Sequence, residues 1–146
     1  MNPSISAKLQ RLLKEHGYSI TQPRQDVFQA LLNTEPLTMA ELYKKTHHRL
    51  DRATLYRTIA LFERANIVHR IAVGWKYKIE LSDSFNKHHH HLTCTACGII
   101  IKLPHNAPLE RIIHKKAQQY AFMLTRHTIE IEGLCRECYQ KSSQNF

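Results

Sequence analysis

Residues 52–81 read RATLYRTIALFERANIVHRIAVGWKYKIEL. Leu55, Ile59 and Phe62 recur at helical spacing over Arg52 to Ala65, and Leu50-Asp51 opens that stretch with a residue able to cap it. The period then changes. Val68 to Val73 and Lys76 to Leu81 are rich in strand formers and are parted by Gly74-Trp75, which reads as a hairpin turn.

Upstream, Leu9, Leu12 and Leu13 give Ser6 to His16 a helical face, with Gly17 as a stop. Thr21-Gln-Pro-Arg places a capping residue and a first-turn proline ahead of Val27, Phe28, Leu31 and Leu32. After Pro36, Thr38 is positioned to cap Met39 to Thr46. Helices followed by a two-stranded wing make the order of a winged helix-turn-helix, with Arg52 to Ala65 as the recognition helix. A helical bundle with an appended hairpin is the plainer alternative. On the recognition helix, Thr54, Tyr56 and Arg57 supply hydroxyls and a guanidinium suited to phosphates and base edges.

Downstream, Ser82 to Lys87 is a polar bridge where the pattern changes, which divides the chain into residues 1–84 and 85–146. The second part reads as a small α/β domain. Leu92 to Thr93 and Ile99 to Leu103 are strand-like, Pro108 to Gln119 is an amphipathic helix, and Phe122 to Ile131 alternates as a further strand. A sheet this small, covered by one helix, has a limited core, so metal and dimerisation are expected supports. The fold class is α+β.

Cys94-Thr-Ala-Cys97 and Cys135-Arg-Glu-Cys138 each bring two thiolates around a tight turn. Two such pairs complete the tetrahedron that a structural zinc takes. A redox Cys-x-x-Cys would need only one pair. Four consecutive histidines, His88 to His91, precede the first pair. In an extended strand His88 and His90 point one way and His89 and His91 the other, so one run can serve two sites. An exposed polar tract that binds metal adventitiously is the alternative. Of eleven histidines, His16, His47, His48, His105 and His114 have no motif to join.

The composition, 42% hydrophobic and 23% charged, is that of a globular chain and argues against disorder. Its net charge of +9, shared between both halves, favours a polyanionic partner such as nucleic acid. No apolar run is long enough for a membrane span, and the N-terminus lacks an export signal's apolar stretch, so a cytoplasmic protein without membrane partners is expected. A reducing compartment also favours metal ligation over disulfides.

Thr21-Gln-Pro-Arg24, Ala53-Thr-Leu-Tyr-Arg57, His88-His-His-His-Leu-Thr-Cys-Thr-Ala-Cys-Gly98 and Gly133-Leu-Cys-Arg-Glu-Cys138 resemble, in order, the successive signatures of the ferric uptake regulator family. The resemblance covers nearly the whole chain. It implies a winged-helix DNA-binding domain, a dimerisation domain with a structural Zn2+ on Cys94, Cys97, Cys135 and Cys138, and metal-dependent repression of transcription. It implies two further sites, one of His88, His90, Glu110 and His127, the other a hinge site of His69, Glu80, His89 and His91 that senses Zn2+ or Fe2+. Arg24 becomes a candidate phosphate contact by the same resemblance.

The chain departs from the family's variants in ways that bear on the metal. Glu80 stands where zinc-sensing members often carry Cys. Pro36 and Leu37 stand where the iron-sensing pattern draws a His, and Lys102 where iron and peroxide sensors want a carboxylate. The expectation is a zinc-sensing homodimer, most like the zinc uptake regulator branch, on a pseudo-palindromic double-stranded DNA operator, controlling metal uptake genes. Rivals are an iron-sensing regulator, a zinc-storage protein and a zinc-dependent hydrolase; the last lacks a His-Glu-x-x-His.

Overall fold

The structure, a computed structural model, describes residues 3–47 and 49–143; His48 lies outside them. The chain divides into two compact units, Met1–Asn86 and Lys87–Phe146, within the expected polar bridge but two residues beyond Ser84. Phe85 explains the offset, because its ring packs edge-on against Phe28 at 4.8 Å and so stays with the first unit.

The first unit contains α1 (Pro3–Glu15), α2 (Gln22–Leu31), α3 (Met39–Lys45), α4 (Arg52–Arg64), β1 (Val68–Val73) and β2 (Lys76–Leu81). Its helix starts are chemically specified. Thr38 and Glu41 form a reciprocal capping box, the Glu41 amide donating to Thr38 Oγ1 at 3.2 Å and the Thr38 amide to Glu41 Oε2 at 2.7 Å. Asp51 Oδ1 accepts from the Thr54 amide at 2.8 Å. Thr21 holds the capping position of α2 in extended backbone, but its side chain makes no cap bond; Pro23, in the first turn, removes one of the donors a cap would serve.

β1 and β2 pair antiparallel from Val68↔Leu81 to Val73↔Lys76, and Gly74 takes φ +56° in the turn. Leu37 adds a single bridge to Ile79. Inward stripes of the helices and hairpin meet in one core that includes Leu9, Leu13, Phe28, Leu55, Ile59, Phe62 and Leu81. Removing a side chain such as Phe62 from it would cost about 3–5 kcal/mol.

The second unit is β3 (His89–Cys94), β4 (Ile100–Pro104), α5 (Ala107–Gln119), β5 (Glu130–Gly133) and α6 (Arg136–Ser143), with strand order β4-β3-β5. Asn106 caps α5 by accepting from the Leu109 amide at 3.1 Å. Among the described residues, the side chains buried in this unit are Cys94, His90, His91, Thr93 and Glu110, whereas Ile99, Ile101, Ile131 and Phe122 are exposed. Apart from Thr93, these buried side chains are of metal-ligating type.

One expectation is corrected. The strand expected over Phe122 to Ile131 forms only from Glu130, running parallel to β3 in the register His91↔Glu130 to Cys94↔Gly133. At that register residues 122–127 would need partners among residues 83–88, most of which belong to the other unit. Helix α6, which carries Cys138, was not expected from its polar sequence.

Candidate metal centres and nucleic-acid face

The first cysteine pair lies on the β3–β4 turn. Gly98 donates its amide to the Cys94 carbonyl at 2.9 Å and adopts φ +73°, which curls Cys97 back toward Cys94. The second pair opens α6. The amide of Thr95 donates to the Gly133 carbonyl at 2.8 Å, tying the two turns together. The four cysteines are unbridged, and their Sγ atoms lie within 4.8 Å of one another.

Cys97 Sγ and Cys135 Sγ are 3.8 Å apart. Sulfurs bonded at about 2.3 Å to a tetrahedral zinc would be separated by about 3.8 Å. The backbone amide of Cys135, donating to Cys94 Sγ at 3.3 Å, leads the effects that lower the Cys94 thiol to about 6. The neighbouring Cys135 side chain leads those that push Cys138 up to about 12. Without a cation the crowded sulfurs compete over ionisation; a divalent metal resolves that competition, so the donor set fits zinc.

A second cluster forms where β3 faces α5. His90 Nε2 and Glu110 Oε1 are 3.0 Å apart, His127 Nε2 and Glu110 Oε2 2.9 Å, and His88 Nε2 and His127 Nε2 3.3 Å. Nitrogens bonded at about 2.0–2.1 Å to a tetrahedral ion would be about 3.3–3.4 Å apart. Burial alone would raise the Glu110 carboxyl, but the His90 hydrogen bond and the three imidazoles outweigh it and hold it below the usual range. Burial foremost keeps the His127 imidazole below its ordinary value, in the neutral form that a metal requires. These four side chains also fit a transition-metal ion.

The other four expected ligands are described within their own units. In the first, His69 and Glu80 are register partners across β1 and β2, with Nε2 2.8 Å from Oε1 and Glu80 almost wholly buried. In the second, the rings of His89 and His91 stack edge-on at 4.7 Å, and His91 is buried. Residues 88 and 90 thus group together, as do 89 and 91, in the alternation of a strand.

On α4, burial of Leu55, Thr58, Ile59, Leu61 and Phe62 leaves Arg52, Ala53, Tyr56 and Arg57 exposed on one face. Arg52 and Ala53 join Tyr56 and Arg57 by their spacing of three and four residues, a signal the sequence reading did not use. Thr54 is occupied with its own helix, since its hydroxyl donates to Asp51 Oδ2 at 2.7 Å and receives Arg57 Nη2 at 3.5 Å. Arg24 is half-buried; it donates to the Ser19 carbonyl, and its guanidinium lies 5.7 Å from the centre of the Tyr18 ring.

A winged helix joined to a small sheet domain with a four-cysteine cluster and a histidine-carboxylate cluster defines a metal-responsive, DNA-binding regulator. The ferric uptake regulator family model matches residues 15–132, and the chain belongs to that family. It is 33% identical over 139 residues to the ferric uptake regulation protein of Vibrio anguillarum, covering 91% of each chain. The crystal structure of the Vibrio cholerae ferric uptake regulator is similar with a TM-score of 0.69 and 30% identity, over 86% of this chain and 98% of that one. A zinc-bound manganese uptake regulator gives a TM-score of 0.60 at 26% identity, over 88% and 98%.

Family proteins are dimeric transcriptional regulators rather than enzymes. Among the described residues, no helix is long and apolar enough to cross a membrane.

Proposed function

We propose that this protein is a zinc-responsive repressor, most like the zinc uptake regulator branch of its family, which binds a pseudo-palindromic operator as a homodimer and controls metal uptake genes. The observation that carries the zinc reading is the imidazole-rich donor set of the proposed sensing residues, His69 paired with Glu80 across the hairpin and His89 grouped with His91 on β3. The absence of a His at Pro36 and Leu37, and of a carboxylate at Lys102, supports the same choice.

In this reading Cys94, Cys97, Cys135 and Cys138 hold a structural zinc, and His88, His90, Glu110 and His127 hold a supporting ion in the dimerisation domain. His69 and Glu80 from the DNA-binding side and His89 and His91 from the dimerisation side form the sensing set. A bound ion supplies charge and fixed bond directions. The residues do the rest: His69 and Glu80 are already aligned by the hairpin register, so engaging His89 and His91 sets one angle between the domains. Selecting that angle raises operator affinity, and linkage requires DNA to raise metal affinity by the same factor. Tyr56 and Arg57 then meet the major groove, and Arg24 a phosphate.

Iron sensing is the second reading, favoured by the ferric uptake regulation proteins among the relatives. Operator binding measured against buffered free zinc, iron(II) and manganese decides between them. A response to iron(II) alone, at cytosolic free-metal levels, would overturn the zinc reading. Metal binding with no change in DNA affinity would indicate storage instead.

A further inference from the structure

His105 belongs to none of the metal-ligand sets above, yet the fold brings it to the rim of one. It occupies the short turn between the end of β4 at Pro104 and the α5 cap Asn106. Its Nδ1 lies 3.9 Å from Glu110 Oε1, the oxygen that also faces His90 Nε2 at 3.0 Å and His88 Nε2 at 3.6 Å. Its ring centre is 6.4 Å from that of His88.

Exposure separates His105 from the residues it adjoins. Its side chain is 57% exposed, against 1% for His90 and 11% for Glu110. His88, His90, Glu110 and His127 already supply four donors, one atom from each lying within 4.8 Å of the others, so a fifth imidazole is not needed to complete a four-ligand shell. At 3.9 Å it stands just outside the roughly 3.3–3.4 Å separation of donors sharing a tetrahedral ion. A side-chain rotation would close that gap.

We propose that His105 is the exchange ligand of this cluster, the imidazole by which a zinc-class ion is taken from solvent into the buried donors and surrendered again. The proposal rests on the reading of the cluster as a metal site. Four-coordinate zinc has no electronic preference against a fifth ligand. An incoming imidazole nitrogen on the solvent side therefore lowers the barrier to replacing a buried ligand by a solvent-side one. The reverse path uses the same step, so His105 acts on capture and release alike and leaves the equilibrium nearly unchanged. A site buffered by its own exchange ligand follows free zinc instead of trapping the first ion it meets.

The test uses the full-length protein with its cysteine site zinc-loaded and with His89→Ala to silence the hinge set. Zinc stoichiometry and affinity are measured by chelator competition, and zinc capture and release by stopped flow, with His105 intact and with His105→Ala. We expect both rates to fall by about tenfold, the equivalent of about 1.4 kcal/mol in each barrier, with affinity unchanged within twofold. Unchanged rates overturn the proposal. Weakened affinity with an unchanged capture rate also overturns it, by making His105 a standing ligand. A His90→Ala control separates the two levels of argument: if it loses no zinc, the cluster is not a metal site and the exchange role falls with it.

Discussion

Cys97 Sγ and Cys135 Sγ lie 3.8 Å apart although they stand 38 positions apart in the chain. The pairing fastens the β3–β4 turn to the start of α6, in a unit with little buried hydrocarbon. Because structural zinc supplies folding free energy, Cys97→Ser should remove about one tightly held zinc per chain and abolish the dimer. Metal analysis together with light scattering checks this, and a stable dimer with undiminished zinc would refute the staple.

Arg57 is exposed on α4 and reaches Thr54 within its own helix, whereas Arg24 is half-buried and braces the turn before α2. Arg57→Ala should therefore leave the melting temperature nearly unchanged while costing about 1–3 kcal/mol of operator affinity for a base contact, or lowering the salt slope by about one for a phosphate contact. Arg24→Ala should lower both stability and affinity. Arg57→Ala binding as tightly as wild type at every salt concentration would remove it from the DNA face.

Acid should loosen the second unit of the metal-stripped protein. His127 is held below its ordinary value first by burial, and Glu110 below its own because the His90 hydrogen bond and the imidazoles outweigh burial. Both groups bind fewer protons folded than unfolded, so stability rises with pH. The His127 contribution is full above about pH 6.5 and is lost as pH falls through its lower folded value; that of Glu110 follows in the carboxylate range. His127→Gln should flatten the melting temperature between pH 7.5 and 5.5. An equal slope in both proteins would sink the assignment.

The parts of this structure that were legible in sequence are those with local causes. Thr38 and Asp51 announce α3 and α4 by capping chemistry, and Gly74-Trp75 announces the hairpin because few other pairs turn so tightly. Phe122 to Ile131 has strand alternation but lacks a partner over most of its length, and pairing is a tertiary fact that alternation cannot supply. The cysteine cluster was readable because each pair sits on one tight turn. His105 was not, because its nearness to Glu110 arises from the corner between β4 and α5. Tyr56 and Arg57 could be found from the helix period alone, which also holds for Arg52.

The last prediction separates the two histidine pairs of β3. His89 and His91 stack on each other at 4.7 Å, while His90 turns to Glu110 at 3.0 Å, so neighbouring residues serve different chemistry. His89→Ala should abolish the zinc response of operator binding while leaving the cysteine zinc and the dimer intact, because only the proposed sensing set loses a ligand. His90→Ala removes a buried partner of a buried carboxylate. It should lower the stability of the second unit and blunt zinc sensitivity by degrees, with some zinc-dependent DNA binding surviving. The measurement is operator affinity against buffered free zinc for both variants, with iron(II) and manganese as controls, alongside the melting temperature. Should His89→Ala keep the native response while His90→Ala loses it, the roles are exchanged: sensing would belong to the cluster around Glu110, and the metal would act on the dimer rather than on the angle between domains.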